Sequence, residues 1–308
     1  MRDKRVGVIW LLVSALAYSM FTVFGKNALE VLTPNQVMLW RFLMAVPIAW
    51  AIILVRSARG GPRIRDVEWL PRFAAGLVFG MAAWFGFAGL SRLSGALYIV
   101  VIYTYPAMVA VGSWLLGKPA PRHVWIAVFI IMVGIALTVP EIFGDGNRAS
   151  VVGLVFTLAN AVAYAAYVIY SERLVGGDRP ADGLIASAWS FTGSLAAAVI
   201  VALVNRTFTG PTTFDGWSAM IGLSTISTVV AGMAFFMGVR HLGPSHAALI
   251  ASTEPVLTLV WVVVILDETL KGVQFIGAVL VIIGVMWSQR PERSVNPPEP
   301  AVRPPTPS

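Results

Sequence analysis

Two ionisable residues, Glu254 and Arg41, lie deep inside long apolar stretches of the sequence. A charged side chain at the centre of a bilayer costs at least about 2.5–3.5 kcal/mol, so an ionisable residue there indicates a functional site. At about 1.5 Å per helical residue, Glu254 lies roughly 15 Å into its stretch, and Arg41 lies roughly 10 Å below the membrane surface. A midplane carboxylate suits a substrate amine or a transferable proton, and a guanidinium suits a carboxylate. We therefore predict that both residues bind substrate.

Each of these residues also has a purely structural alternative. Glu254 could be protonated and hydrogen-bonded to a neighbouring helix. Arg41 could form an ion pair with Glu254, or it could extend its charged head towards the interface. The sequence leaves these alternatives open.

Aromatic and amide side chains form a second set of candidates. Tyr18 and Tyr164 occupy equivalent positions in two similar segments, Asn160 lies one turn before Tyr164, and Tyr105 and Trp84 lie within other apolar stretches. Aromatic rings in a pocket bind an amine or an apolar side chain. Packing and interface belts are the common alternative for aromatic residues in membranes. We predict that these five residues line a substrate cavity.

Two prolines mark predicted hinges. Pro106 follows Tyr105, and Pro255 follows Glu254, in corresponding places of the two halves of the chain. A proline inside a helix removes one backbone hydrogen bond and frees the carbonyl of a residue one turn earlier. At Pro255 the freed carbonyl is that of Ala251, so a polar notch is expected beside the Glu254 carboxylate.

The amino-acid composition is strongly apolar and is typical of a membrane protein. Of the 308 residues, 57% are hydrophobic and 12% are charged, and the mean hydropathy is +0.79. Soluble proteins have about 25% charged residues. A soluble enzyme, a disordered protein and a nucleic-acid-binding domain are therefore excluded, since the +7 net charge lies in short loops rather than on a continuous basic face. Without cysteine there is no disulfide or thiolate chemistry.

The apolar stretches predict an all-α membrane protein with ten transmembrane helices, because each is close to the length of about 20 residues that spans a bilayer. The runs are unbroken rather than alternating, which favours helices over barrel strands. They cover about 6–26, 34–55, 69–90, 95–116, 122–140, 151–171, 184–204, 217–238, 244–266 and 271–288.

The distribution of basic residues predicts the topology. With the N-terminus in the cytoplasm, sixteen of the 22 Lys and Arg residues fall on the cytoplasmic side, as membrane proteins prefer. An even number of helices returns the C-terminus to the same side. The Pro-rich segment 289–308 is predicted to be a disordered cytoplasmic tail. We expect a multi-pass protein of the cell inner membrane.

The two halves of the chain resemble each other. Val6, Gly7 and Tyr18 recur as Val152, Gly153 and Tyr164 at an offset of 146, and Thr104-Tyr105-Pro106 recurs as Thr253-Glu254-Pro255 at an offset of 149. The predicted repeats are 1–140 and 151–288, with five helices each. Because five is odd, the copies must cross the membrane in opposite directions, which is the architecture of many secondary transporters.

The ordered motifs identify the chain as similar to the drug/metabolite transporter superfamily, and within it to the EamA type. Ser252-Thr253-Glu254-Pro255-Val256 and Leu266-Asp267-Glu268-Thr269-Leu270 resemble that family's Glu-Pro in the ninth helix and its Glu-containing exit turn. The first repeat departs from this pattern, with Gly117-Lys118-Pro119 where the family often has Gly-Glu-Arg. The resemblance implies export or exchange of small metabolites, often amino acids.

Together these patterns predict a secondary active transporter of a small metabolite, such as an amino acid or related amine. Alternating access around a midplane cavity is the expected mechanism, with a small-molecule substrate, the lipid bilayer and a proton as partners. Neither a cofactor nor a metal is expected, and the sequence leaves open whether the protein is a monomer or a dimer. The alternatives are an intramembrane enzyme, a non-transport membrane scaffold, a channel and a lipid flippase. No Walker or GxSxG motif supports ATP-driven transport or serine hydrolysis.

Overall fold

The computed structural model describes residues 2–117, 122–138, 148–175, 182–242, 250–251, 253–269 and 272–288. Within these ranges the regular elements are helical. They are α1 (Arg2–Ser19), α2 (Phe21–Leu29), α3 (Pro34–Ala58), a 3-10 turn (Ile64–Asp66), α4 (Trp69–Leu90), α5 (Gly95–Ile102), α6 (Tyr105–Leu115), α7 (Arg122–Thr138), α8 (Arg148–Val175), α9 (Gly183–Asn205), α10 (Phe214–Ile221), a π-helical segment (Gly222–Val230), α11 (Ala231–Leu242), α12 (Glu254–Ile265) and α13 (Gly272–Ser288).

These helices include seven that are long and apolar enough to cross a membrane, counting helices that continue across a break as one. Three shorter apolar helices, Arg122–Gly134, Glu254–Ile265 and Gly272–Trp287, accompany them in the described parts of the chain. The predicted all-helical class is therefore confirmed. The predicted tail 289–308 and the first residues of the predicted span 244–266 lie outside the described residues.

Several predicted spans are interrupted rather than continuous. The first is divided between α1 and α2 at Met20, and the fourth is divided between α5 and α6 at Tyr103 and Thr104. Thr104 and Thr253 precede α6 and α12 with nearly the same backbone angles, φ −72° and −77°. Each is followed two residues later by a proline, which cannot donate the backbone hydrogen bond that a continuous helix needs.

The helix α4 is packed tightly between α8 and α9. The Ser194 hydroxyl donates to the Gly76 carbonyl at 2.8 Å, and the Ser190 hydroxyl donates to the Arg72 carbonyl at 3.1 Å. A Cβ atom on Gly76 would collide with the Ser190 carbonyl. Small residues therefore bring the two backbones into direct contact, which is a common way of joining helices in membranes.

The remaining helices surround this centre. The helix α3 packs on α9 and on the π segment, and α1 packs on α11. The helices α7 and α13 pack mainly against each other, with glycines such as Gly134 and Gly284 at their contact. The predicted fifth and tenth spans thus form a pair that contributes little to the centre formed by α4, α8 and α9.

An ion pair joins the end of α3 to the start of α9. The Arg56 nitrogens Nη1 and Nη2 each donate to one Asp182 oxygen at 2.8 Å. Asp182 also caps α9, accepting from the amides of Leu184 and Ile185. Partial burial alone would raise the pKa of Asp182, but the Arg56 guanidinium and the helix amides hold it below its usual value.

We predict that Gly76→Ala destabilises the protein by about 1–3 kcal/mol, because the added methyl group forces α4 and α9 apart. Thermal unfolding in detergent measures the change. Gly232→Ala is the matched control, since its Cβ would make only ordinary contacts at 3.5 Å and alanine favours helix. Equal unfolding temperatures for Gly76→Ala and wild type would contradict the described contact.

We also predict that Asp182→Asn destabilises the protein by about 1 kcal/mol at neutral pH, because asparagine keeps the helix cap but loses the ion pair. A carboxylate with a lowered folded-state pKa stabilises above its unfolded pKa of about 4, and this contribution is lost as the pH falls through the folded value.

The difference in the free energy of unfolding between wild type and Asp182→Asn should therefore shrink to zero on acidification. Unfolding measured at a series of pH values checks this. Glu68→Gln serves as the control, because Glu68 is 85% exposed and lies 3.9 Å from Arg72. A difference that does not depend on pH would rule out the ion pair as its source.

Candidate functional site

The Arg41 side chain lies in the interior of the bundle. It is 4% exposed, and its guanidinium carbon lies 4.9 Å from the ring centroid of Phe21, 5.1 Å from Phe42, 5.7 Å from Phe87 and 5.9 Å from Phe79. Cation–π attraction to these rings partly replaces the water that the charge has lost. Its Nε atom donates to the Thr228 hydroxyl at 2.9 Å.

Six of the seven tyrosines form a connected group, the tyrosine cluster, in which Tyr18, Tyr98 and Tyr164 lie near this guanidinium. Tyr105 is central: its ring centroid lies 4.7 Å from that of Tyr164, edge to face, and 6.0 Å from that of Tyr103. Tyr164 in turn lies 6.0 Å from Tyr167. The cluster consists of Tyr18, Tyr98, Tyr103, Tyr105, Tyr164 and Tyr167. Their hydroxyls provide many donors and acceptors in an otherwise apolar interior.

Glu254 reaches the cluster from the first turn of α12. Its side chain is partly buried, and its carboxyl lies close to the Tyr103 hydroxyl. Tyr18 lies within electrostatic range of both the Glu254 carboxyl and the Arg41 guanidinium. The structure thus places an acidic and a basic group on the same polar cluster. Within the described residues no direct ion pair joins them, so that alternative for Arg41 is not realised.

Asn160 joins the cluster through Tyr98. Its side-chain amide donates to the Tyr98 hydroxyl at 3.1 Å, and both groups are buried. Gly86 makes the space for this pair, since a Cβ there would lie 2.7 Å from the Asn160 nitrogen and 3.0 Å from the Tyr98 oxygen. The pair connects α8 to α5 and orients the Tyr98 hydroxyl, which lies within electrostatic range of Arg41.

Trp84 is placed elsewhere. Its indole nitrogen donates to the Asn35 side-chain oxygen at 2.6 Å, and its ring packs edge to face on Phe156 at 5.8 Å and on Phe85 at 5.2 Å. Of the predicted substrate-binding residues, the structure therefore brings together Glu254, Arg41, Tyr18, Tyr105, Tyr164 and Asn160, and it leaves Trp84 in a separate aromatic group.

Four members of the site were not among the predicted substrate-binding residues: Tyr98, Tyr103, Tyr167 and Thr228. Tyr103 would face away from Tyr105 on a continuous helix, and only the break between α5 and α6 brings the two rings together. Tyr167 follows Tyr164 by three residues and therefore shares its helix face, so the spacing alone could have indicated it. Thr228 contacts Arg41 from a π-helical segment, whose register cannot be read from a 3.6-residue periodicity.

A second polar contact closes one end of the bundle. The Glu268 oxygens accept from the backbone amides of Gly95 at 2.7 Å and Ala96 at 2.9 Å, at the start of α5. The Lys26 ammonium donates to the Leu93 carbonyl and lies within electrostatic range of Glu268. A carboxylate at a helix N-terminus is favoured by the backbone dipoles. The turn after α12 is thereby held against the start of α5.

No group of three or more acidic or histidine side chains that could hold a metal ion occurs in the described ranges. The polar groups of the site are instead one carboxyl, one guanidinium, one amide and several phenols and hydroxyls. Such a set binds an organic molecule with charged and apolar parts more readily than it binds a metal ion.

Known proteins resemble this chain along most of its length. The model of the EamA-like transporter family matches residues 5–139 and 151–289. The uncharacterized transporter YcbK of Bacillus subtilis is 25% identical over 284 residues, which cover 90% of each chain. The threonine/homoserine exporter RhtA of Salmonella typhimurium is 21% identical over 73% of each chain.

A protein of known crystal structure has the same fold, with a TM-score of 0.62 and 20% identity over 92% of this chain and 97% of its own. The family and the named relatives are transporters rather than enzymes, which confirms the predicted class. A small-molecule substrate and a multi-pass membrane location follow from the same comparison. Because the family model matches both halves, the chain belongs to the EamA-like transporter family.

Proposed function

We propose that this protein is a secondary active transporter that carries a small amine-bearing metabolite, such as an amino acid, outward across the cell inner membrane. The observation that carries the proposal is the position of Glu254, which begins a half-helix and lies among the phenols of the tyrosine cluster. A carboxylate that is held in a polar site inside an apolar bundle suits an ammonium group.

The proposed architecture is that of ten transmembrane helices arranged as two inverted five-helix repeats, 1–140 and 151–288. The paired breaks before Pro106 and Pro255 support this arrangement, because they recur at matching positions in α6 and α12. Both termini would lie in the cytoplasm, with 289–308 as a tail. Inverted halves of similar sequence have two nearly equal arrangements, one open to each side, which is the basis of alternating access.

Each site residue has a proposed role. Glu254 binds the substrate amine or carries a proton, and Arg41 binds a substrate carboxylate. Tyr18, Tyr105 and Tyr164 form the walls, and Asn160 orients the neighbouring Tyr98. Trp84 lies in a separate aromatic group, and we assign it no role in binding. Pro106 and Pro255 act as hinges, since the helix breaks before them lack the backbone hydrogen bonds that would stiffen a continuous helix.

The exporter named among the relatives supports the substrate class. RhtA is named as an exporter of threonine and homoserine, and both are amino acids with an amine and a carboxylate. These two compounds are therefore the first probes to use. Because the identity is 21%, the side-chain preference of this protein is left to the experiment.

We predict that Glu254→Gln abolishes saturable amino-acid counterflow, because the neutral amide does not balance a substrate ammonium group. The measurement uses proteoliposomes that are loaded with unlabelled threonine, homoserine or another amino acid and then supplied with the labelled compound. An imposed pH gradient is the second variable. If Glu254 carries the proton, the response to the gradient disappears in the variant together with the exchange.

Glu30→Gln is the matched control, because it makes the same chemical change at an exposed position. It should behave as wild type. Wild-type rates and an unchanged pH response in Glu254→Gln would refute the proposed role of this residue. Flux that does not saturate would indicate a channel, and a chemically altered product would indicate an enzyme.

A further inference from the structure

The π-helical segment Gly222–Val230 is the most unusual piece of backbone in the described structure. It lies between α10 and α11 and runs for nine residues. Most π-helical stretches are single-turn bulges, and they occur frequently at functional sites. The segment widens the helix where it passes α3, which carries Arg41.

Thr228 faces the inside of the bundle from this segment. Its hydroxyl donates to the Leu223 carbonyl five residues earlier at 2.8 Å, the spacing of a π-helix, and it accepts from Arg41 Nε at 2.9 Å. Because the Thr228 hydroxyl donates its proton to the Leu223 carbonyl, its oxygen is free to accept the hydrogen bond from Arg41 Nε. Thr228 is 2% exposed, so water does not compete for this contact.

The same segment is fixed to α1 beside the tyrosine cluster. The Ser227 hydroxyl donates to the Ala17 carbonyl at 2.8 Å, immediately before Tyr18 in the chain. One stretch of backbone therefore holds two parts of the site in register: the Arg41 guanidinium on α3 and the Tyr18 phenol on α1.

The contact with Thr228 leaves most of the Arg41 guanidinium available. Among the described residues it is the only hydrogen bond that Arg41 makes, and it uses Nε. Aromatic rings surround the guanidinium carbon at 4.9–5.9 Å, but rings do not accept hydrogen bonds as oxygen atoms do. The pair of nitrogens Nη1 and Nη2 matches the two oxygens of a carboxylate.

We propose that Thr228 and its π-helical segment are the carboxylate-selecting element of the site, with Thr228 as a positioning residue. By holding Nε, Thr228 fixes the plane of the guanidinium and directs Nη1 and Nη2 to the substrate carboxylate. This inference rests on the proposed transport of an amino acid and adds to it the element that distinguishes an amino acid from an amine of the same shape.

The test compares two competitors of labelled threonine counterflow: unlabelled threonine and 1-amino-2-propanol, which is threonine without its carboxylate. We expect Thr228→Val to raise the KM for threonine about tenfold, the effect of losing one hydrogen bond to a charged group. The inhibition constant of 1-amino-2-propanol should stay within about twofold of its wild-type value, because this compound has no carboxylate.

Two further variants separate positioning from general damage. Thr228→Ser keeps the hydroxyl and should therefore show the wild-type preference for threonine over 1-amino-2-propanol. Thr225→Val makes the same change in the same segment and should also behave as wild type. Among the described residues, the Thr225 hydroxyl bonds only to the Ile221 carbonyl. Thermal unfolding of each variant confirms that it is folded.

Three results would overturn the inference. In Thr228→Val, the KM for threonine and the inhibition constant of 1-amino-2-propanol could rise by the same factor, or Thr228→Ser could raise the KM for threonine as much as Thr228→Val does. The third is that wild-type protein binds threonine and 1-amino-2-propanol equally well. Wild-type protein without saturable counterflow of any amino acid would instead overturn the proposed function, and the inference with it. The two failures are therefore distinguishable.

Discussion

Hydrocarbon offers no hydrogen bonds, and this constraint governs where the helices of this protein can be interrupted. Every backbone group within the bilayer must find its partner inside the protein. The breaks before Tyr105 and Glu254 occur 149 residues apart, and each lies next to a side chain of the tyrosine cluster or to Glu254 itself. The π segment likewise directs Ser227 and Thr228 inward, where both hydroxyls find acceptors. The hydroxyls of Ser227 and Thr228 thus form their hydrogen bonds with backbone carbonyls inside the protein.

The same constraint explains how a charge can be buried. Arg41 is surrounded by aromatic rings and contacts one hydroxyl, and Tyr18 lies near both Arg41 and Glu254. Within the described residues Arg41 and Glu254 form no direct ion pair. Such an arrangement keeps both groups available, whereas a direct salt bridge would satisfy them permanently. The tyrosine hydroxyls therefore place hydrogen-bonding groups at fixed positions in the apolar interior.

The sequence predicted the class of fold because hydropathy and span length depend on composition, which the bilayer constrains strongly. It also singled out six polar residues in apolar stretches that the structure brings together: Glu254, Arg41, Tyr18, Tyr105, Tyr164 and Asn160. Their role in binding stays a prediction. The position of Trp84 could not be predicted, since it depends on which helices face each other. Tyr103 and Thr228 were missed for a different reason. Their directions depend on a helix break and on a π register, and neither changes the hydropathy pattern.

The Glu268 contact makes the two halves of the molecule unequal. Its carboxylate, in the turn after α12, holds the start of α5 through two backbone amides. At the repeat offset of 149, the residue that corresponds to Glu268 is Pro119, which has no carboxylate to offer. Glu268 therefore ties the end of α12 to the start of α5 through a carboxylate that the first half of the sequence does not repeat at this offset. The two halves of this chain are similar in pattern, but they are not interchangeable in chemistry.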